Sequence, residues 1–419
     1  MTESAGIRSE HCDVAVIGGG PAGLAAATEL KRRGVSHVVV LEREPEAGGI
    51  PRHCGHPPFG MREFARVLTG SRYAAKLVER ATATGVEVRS STTVVEAGAD
   101  GKLLITSNRG PATLSANRVV IATGVRETPR AARLISGRRP LGVVNTGALQ
   151  SMVYLENRKP FERPVIVGTE LVSFSAIWTC RRAGIRPVAM IGEADQVIAR
   201  WPAALFPRVV GIPLHLGTRL AGIDGDSRVS AVSVMDGSGR EGSINCDGVI
   251  LTGRFTPEAS LARSGHILVD PASGGPVVDQ FGRCSDPAYF ATGNLLRPVE
   301  TAGWSWSEGR QAGRWVGDDL AGKLPAPDIA LEFNVTDPLI RFSVPQKIVL
   351  PHTPLGMENL QLRFARPARG DLIAFNGRDV VFRQTLSVRP ERRVLVPLAK
   401  LANGCEGGRV ELKFEELPH

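Results

Sequence analysis

The sequence predicts an α/β protein with two parallel-sheet units and a β-rich C-terminal portion, and three observations carry that expectation. A Gly-rich turn between an apolar strand and a helix occurs twice, at Gly18 and at Gly168, roughly 150 residues apart. Strand-like runs rich in Val, Ile and Leu end in Ala-Thr-Gly or Thr-Gly. Beyond Pro327, apolar residues recur with a period of two, as in half-buried strands.

The elements follow in order. Residues 13–17 form a short apolar strand, Gly18-Gly19-Gly20 a turn, and residues 22–33 a helix stopped by Gly34. Residues 37–41 form a second strand that ends at Glu42. The same order returns as strand 164–167, helix 170–182 and strand 186–191, followed by Gly192-Glu193. Strands at 118–121, 248–251 and 288–290 run into Ala122-Thr123-Gly124, Thr252-Gly253 and Ala291-Thr292-Gly293-Asn294. A long helix is expected from Thr301 to Leu320, and a linker around 323–327, where Pro325 and Pro327 stand.

Composition narrows the class. Of 419 residues, 42% are hydrophobic and 22% charged, which excludes wholesale disorder. The 47 glycines show no three-residue period, so a collagen-like chain is excluded. Net charge is +9, but the arginines are scattered without a basic block. That reads as a solvated basic surface or an anionic ligand, and no nucleic-acid partner is expected. Cys12, Cys54, Cys180, Cys246, Cys284 and Cys405 lie far apart, with no C-x-x-C pair, so no metal site is expected. The first residues lack an apolar signal region, and no run of 18 apolar residues occurs. A cytoplasmic location without integral membrane segment is the expectation.

The strongest chemical signal is Gly18-x-Gly20-x-x-Gly23 with Glu42 about 24 residues after Gly18. The first glycine permits a tight turn, the second a close approach of backbone to pyrophosphate, the third close packing of helix on strand. The helix N-terminus offers N–H groups to phosphate. A carboxylate ending the second strand accepts hydrogen bonds from ribose hydroxyls.

On these residues, with Gly48-Gly49, Ala122-Thr123-Gly124 and Ala291-Thr292-Gly293-Asn294, residues 10–322 resemble the two-dinucleotide-binding-domain flavoproteins, the pyridine nucleotide–disulfide oxidoreductase superfamily. The resemblance implies two Rossmann-like domains, the second inserted in the first. The FAD-binding domain would be 1–126 and 259–322, the NAD(P)-binding-like domain 127–258, and a β-rich domain 328–419 would follow. It implies FAD contacts from Gly18, Gly20, Pro21, Ala22, Gly23, Glu42, Arg43, Gly49, Ile50, Ala122, Thr123, Gly124, Gly293, Asn294, Thr301 and Ala302. Asn294 stands where the family usually carries an acidic residue for the ribitol chain. The helix opening at Thr301-Ala302-Gly303-Trp304 would point at the flavin, with Trp304 and Trp306 near the ring.

The second turn departs from the family. It reads Gly168-Thr169-Glu170-Leu171-Val172-Ser173, with Glu170 where backbone should meet pyrophosphate and Ser173 for the third glycine. Two anions repel at close range. Loss or weakening of NAD(P) binding is expected, unless Glu170 turns outward.

The segment His53-Cys54-Gly55-His56 follows Gly48-Gly49, which in this family leads the chain past the isoalloxazine ring. Cys54 is a candidate thiolate, lowered in pKa by a histidinium. Alternatively His53 and His56 act as acid, base or substrate anchor, or the turn only packs. The stretch from Gly48 to Gly60, with Phe64, Leu68-Thr69-Gly70 and Tyr73, is similar to FAD-dependent oxidoreductases found with glycerol-3-phosphate-dehydrogenase-like partners. More distantly the chain resembles the α or B subunits of opine dehydrogenase, hydrogen cyanide synthase and proline dehydrogenase complexes.

The expected function is an FAD-dependent dehydrogenase or electron-transfer subunit working with a second subunit on a small anionic substrate: an amino acid, hydroxy acid or glycerol phosphate. Arg52, Arg62, Arg126 and Arg130 are candidate anchors for such an anion. The alternatives are an NAD(P)H-dependent flavin reductase using Cys54, and a non-catalytic flavoprotein scaffold.

Overall fold

The computed structural model describes residues 8–199, 205–298, 300–326, 330–390 and 392–417. The chain divides into two compact units. One comprises Met1–Gly49, Ala74–Val125 and Pro257–His419, the other Ile50–Tyr73 and Arg126–Thr256.

In the first unit, parallel strands lie in the order Glu87–Arg89, Val38–Leu41, Arg8–Ile17, Gly110–Ile121, with Tyr289–Ala291 pairing alongside the end of the last. Val38 to Leu41 is buried at every position, the continuous apolar run expected of a strand covered on both faces. Thr93–Ala97 and Lys102–Ser107 extend the sheet antiparallel. The helices Pro21–Arg32 and Ala302–Leu320 pack through small residues. A β-carbon at Gly309 would lie 2.0 Å from the Ala22 carbonyl oxygen, so only glycine lets the two backbones approach this closely. Glu29, buried between the helices, takes Arg314 at 3.0 Å and Arg310 at 3.4 Å.

The β-rich C-terminal part belongs to this same unit. Its larger sheet runs Lys347–Val349, Ala330–Val335, Gly408–Glu416, Ala368–Asn376, Asp379–Val388, and its smaller one Ile340–Val344, Asn359–Phe364, Val394–Pro397. Phe281 and Trp315 share one apolar cluster with Phe342, Leu360 and Phe364, so burial joins the two parts. Several polar groups at the seam are paired. The Gln280 amide exchanges hydrogen bonds of 2.9 and 2.8 Å with the Val349 backbone, and the Trp315 indole N–H donates to the Leu355 carbonyl at 2.6 Å. Of the expected linker, Pro327 lies outside the described residues, and the Pro325 carbonyl accepts from Arg283 at 2.8 Å.

The second unit holds a five-stranded parallel sheet, ordered Leu214–His215, Ala189–Ile191, Pro164–Val167, Gly248–Leu251, Val143–Asn145. The helix Leu171–Arg182 follows Pro164–Val167 through the second glycine turn. A four-stranded sheet runs Glu241–Asn245, Ala231–Asp236, Thr218–Asp224, Ser136–Gly137. Two Rossmann-like units with a β-rich C-terminal region are the fold class expected from the sequence.

Candidate functional site

In the first unit the expected cofactor residues gather at the carboxyl ends of the parallel strands, the edge where open α/β sheets bind ligands. Gly18 turns the chain at φ +106, and a β-carbon there would strike the Ala122 carbonyl oxygen at 2.6 Å. A β-carbon at Gly23 would lie 2.0 Å from the Gly18 carbonyl oxygen, so this glycine lets the helix sit on the turn. Gly20 caps the helix without a side-chain hydrogen bond, and Pro21 at the first position has no N–H to satisfy. Among the described residues the N-cap thus supplies no side-chain acceptor to the first-turn N–H groups, an anion-binding arrangement.

Glu42 is buried and held by two backbone donors. Gly19 N–H donates to its Oε2 and Glu44 N–H to its Oε1, both at 2.9 Å. Each oxygen keeps an acceptor site for a ribose hydroxyl. Gly49 backs onto Gly20, where a β-carbon would come 2.8 Å from the Gly20 Cα. The Thr123 hydroxyl donates to the Glu258 carbonyl at 2.7 Å, and Glu258 N–H donates to the Gly124 carbonyl at 2.9 Å. Arg43 is exposed beside Glu44 at 3.7 Å. Ile50, 54% exposed, begins the second unit. This turn, with its uncapped N–H groups and its anchored carboxylate, fits an adenine dinucleotide.

At the second FAD motif, Gly293 packs on Ala22. The Asn294 amide is engaged at both ends: its nitrogen donates to the Glu300 carbonyl at 3.1 Å and its oxygen accepts from Glu300 N–H at 3.0 Å. Asn294 therefore clasps its own loop, a role that the sequence did not disclose. Thr301 caps the helix Ala302–Leu320 with its backbone only. One face of each indole is covered by a guanidinium rather than left open: Arg393 lies 3.9 Å over the Trp304 ring and Arg310 5.0 Å over Trp306.

The second glycine turn is occupied by its own side chain. The Glu170 carboxylate folds inward, accepting from the Thr252 hydroxyl at 3.1 Å and the Ser173 hydroxyl at 3.3 Å. A β-carbon at Gly168 would lie 2.5 Å from Glu170 Oε2, and one at Gly253 2.6 Å from its carboxyl carbon. The carboxylate is thus wedged between the two glycines. Ser173 is fully buried, its hydroxyl 2.7 Å from that of Thr252. Arg133, which the sequence did not single out, forks onto the Thr252 and Gly253 carbonyls at 2.9 and 2.6 Å. Glu193, the counterpart of Glu42 in this unit, is exposed and pairs with Arg254 at 3.3 Å.

The turn at residues 53–56 packs on the helix Thr146–Tyr154 of its own unit. Gly55 lies against the Tyr154 ring, where a β-carbon would come within 2.1 Å. The Cys54 thiol points at the Ile50 carbonyl (3.5 Å) and at Gln150 Oε1 (3.6 Å). The pKa expectation for Cys54 is corrected: burial pushes the thiol up to about 12, against a smaller lowering by Gln150. A group that titrates there holds almost no thiolate at neutral pH. His56 Nδ1 sits 2.9 Å from the Pro57 carbonyl, while its Nε2 and the Gln150 amide nitrogen are buried without a partner among the described residues. The Arg130 guanidinium holds the Ile135 and Ser136 carbonyls at 3.4 and 2.8 Å. Among the described residues no cluster of metal-ligating side chains occurs, and no helix is long and apolar enough to cross a membrane.

Comparison with known proteins agrees with this geometry. The family model described as pyridine nucleotide-disulphide oxidoreductase matches residues 12–309. The ferredoxin reductase component of chlorobenzene dioxygenase from Cupriavidus sp. (strain PS12) is 26% identical over 71% of this chain and 68% of its own. An opine oxidase subunit from Rhizobium meliloti (strain 1021) is 29% identical over 53% of this chain, and the match spans 50% of that relative's length. Thioredoxin reductase from T. acidophilum superposes with a TM-score of 0.63 at 21% identity, over 74% of this chain and 99% of that one, a likeness of fold.

Proposed function

The chain belongs to the pyridine nucleotide-disulphide oxidoreductase family, and from that premise we propose that it is the FAD-bearing subunit of a heteromeric dehydrogenase. It would oxidise a small anionic substrate, such as an amino acid, hydroxy acid or glycerol phosphate, and pass the electrons to a partner protein. The observation that carries this reading is the asymmetry of the two glycine turns: the first is open around an anchored carboxylate, the second is filled by Glu170.

FAD, the family's cofactor, takes up two electrons when bound and gives them to an acceptor. The turn from Gly18 to Gly23 would hold its pyrophosphate and Glu42 its adenosine ribose. The backbone N–H groups of Thr301 and Ala302 would face the ring. In the second unit, Glu170 places a negative charge where a nicotinamide dinucleotide needs a donor, which disfavours NAD(P)H as electron source. The buried, unpartnered nitrogens of His56 and Gln150 are polar groups of the kind that a carboxylate or hydroxyl of substrate would satisfy. A reductase working through Cys54 is not favoured, because its thiol is buried and protonated at neutral pH.

The relatives support a multi-component setting, since one is by name a reductase component and another is one subunit of an oxidase. The test is anaerobic titration of the purified yellow protein with candidate anions and with NADH, alone and co-expressed with neighbouring gene products. Bleaching by one of the anions, with turnover only in the complex, is expected. Rapid NADH turnover by the lone chain would overturn the proposal.

A further inference from the structure

The C-terminal β-region reaches the helix Ala302–Leu320 with charged groups, although nothing in the motifs asks it to. Glu300, one residue before the helix cap Thr301, keeps its side chain out of solvent and pairs with Arg363 of the strand Asn359–Phe364 at 2.5 Å and with Arg393 at 3.7 Å. Arg393 also stacks on Trp304 in the first turn of that helix, 3.9 Å from the ring centre. Nearby, the buried Arg297 pairs with Glu308 of the same helix at 2.9 Å, and its Nε has no partner among the described residues. Asn294 ties Glu300 back to the second FAD motif.

Among the described residues, three guanidinium groups face two carboxylates here, leaving one positive charge in excess at the positive end of a 19-residue helix. The burial of these pairs keeps solvent screening low. Two of the three cations come from the C-terminal sheet region, which otherwise has no place in a dinucleotide fold.

We propose that the C-terminal β-region tunes the flavin through Arg363 and Arg393, which set the charge at the N-terminus of the helix Ala302–Leu320 and so raise the flavin's reduction potential. The inference rests on the FAD reading above. Two-electron reduction of the ring with uptake of one proton adds one negative charge, and an excess positive charge at this helix end favours that form. Arg363 and Arg393 act through the helix terminus and are positioning residues.

The experiment measures the midpoint potential of bound FAD, by equilibration with reference dyes, in the wild type and in Arg393→Gln, Arg393→Lys and Glu300→Gln. One charge acting through a partly buried helix end is worth about tenfold in the reduction equilibrium, which for a two-electron couple is about 30 mV. Arg393→Gln is expected to lower the potential by that amount, Glu300→Gln to raise it, and Arg393→Lys to leave it near the wild-type value. A purely structural role would move Arg393→Gln and Glu300→Gln in the same direction or not at all, and either result overturns the proposal. If Arg393→Gln fails to fold, the rise in Glu300→Gln against a steady Arg393→Lys decides. A wild-type protein that takes up no FAD defeats the FAD reading; a yellow protein whose potential ignores these substitutions defeats this inference alone.

Discussion

Replacing Glu170 with glycine should open the second dinucleotide turn. Its carboxylate occupies the space between Gly168 and Gly253, and a pyrophosphate brought there would meet a like charge. Two unit charges 4 Å apart repel by about 1 kcal/mol in bulk water and about 4 kcal/mol at the effective dielectric of a protein surface. Removing the carboxylate should therefore tighten NADH binding by about 5- to 1,000-fold. The fold should tolerate the change. Glu170 caps its helix at φ −74 without a side-chain cap bond, and glycine is an acceptable cap. The lost hydrogen bonds are long ones, of 3.1 and 3.3 Å, so the destabilisation should be about 1–2 kcal/mol. The assay is anaerobic titration with NADH, following loss of the oxidised flavin absorbance. Glu170→Gln separates charge from bulk: if repulsion dominates, it should recover most of the gain. Stoichiometric bleaching of the wild type at micromolar NADH, or an unchanged affinity in Glu170→Gly, would refute the argument.

Other outcomes follow from the same geometry. Gly23→Ala puts a methyl 2.0 Å from the Gly18 carbonyl oxygen; it should cost about 3 kcal/mol and yield protein that purifies without flavin. Glu42→Gln weakens two charge-assisted bonds from Gly19 and Glu44 and the contact with ribose, so FAD should bind about 10- to 100-fold more weakly by fluorescence titration. Cys54 should resist alkylation in the native protein at about pH 8 and react once unfolded, as mass spectrometry after iodoacetamide would show. The buried thiols also set an alkaline limit. Burial raises Cys12, Cys54 and Cys180 to about 12 from an ordinary 9.0. A folded-state pKa above the unfolded one gives stability that is full below about pH 9 and is lost as pH rises toward 12. Urea midpoints should fall over that range, and a flat profile would contradict this burial.

Much of the first turn was legible in the chain because its chemistry is local. Gly18, Gly20, Gly23 and Glu42 act through backbone conformation and short contacts along one strand–turn–helix–strand unit, and such constraints leave their mark in residue spacing. The anomaly at Glu170 was visible for the same reason, but its direction was not. Whether the carboxylate faced solvent or the turn depended on Thr252 and Ser173, and Thr252 lies 82 residues away along the chain. Cys54 shows the opposite case. Its neighbours in sequence are histidines, which suggested a lowered pKa. In space the thiol is enclosed against Gln150 of the helix Thr146–Tyr154, and the desolvation that comes with this enclosure raises it.

By itself, then, the order of residues determined the fold class, the two glycine turns and the kind of cofactor, since each follows from backbone geometry within a few dozen residues. Only the tertiary structure decided which charges meet. Arg363 and Arg393 reach Glu300 from segments that lie far along the chain, and desolvation, which raises a buried thiol and penalises an unpaired charge, exists only once distant segments have closed over the group.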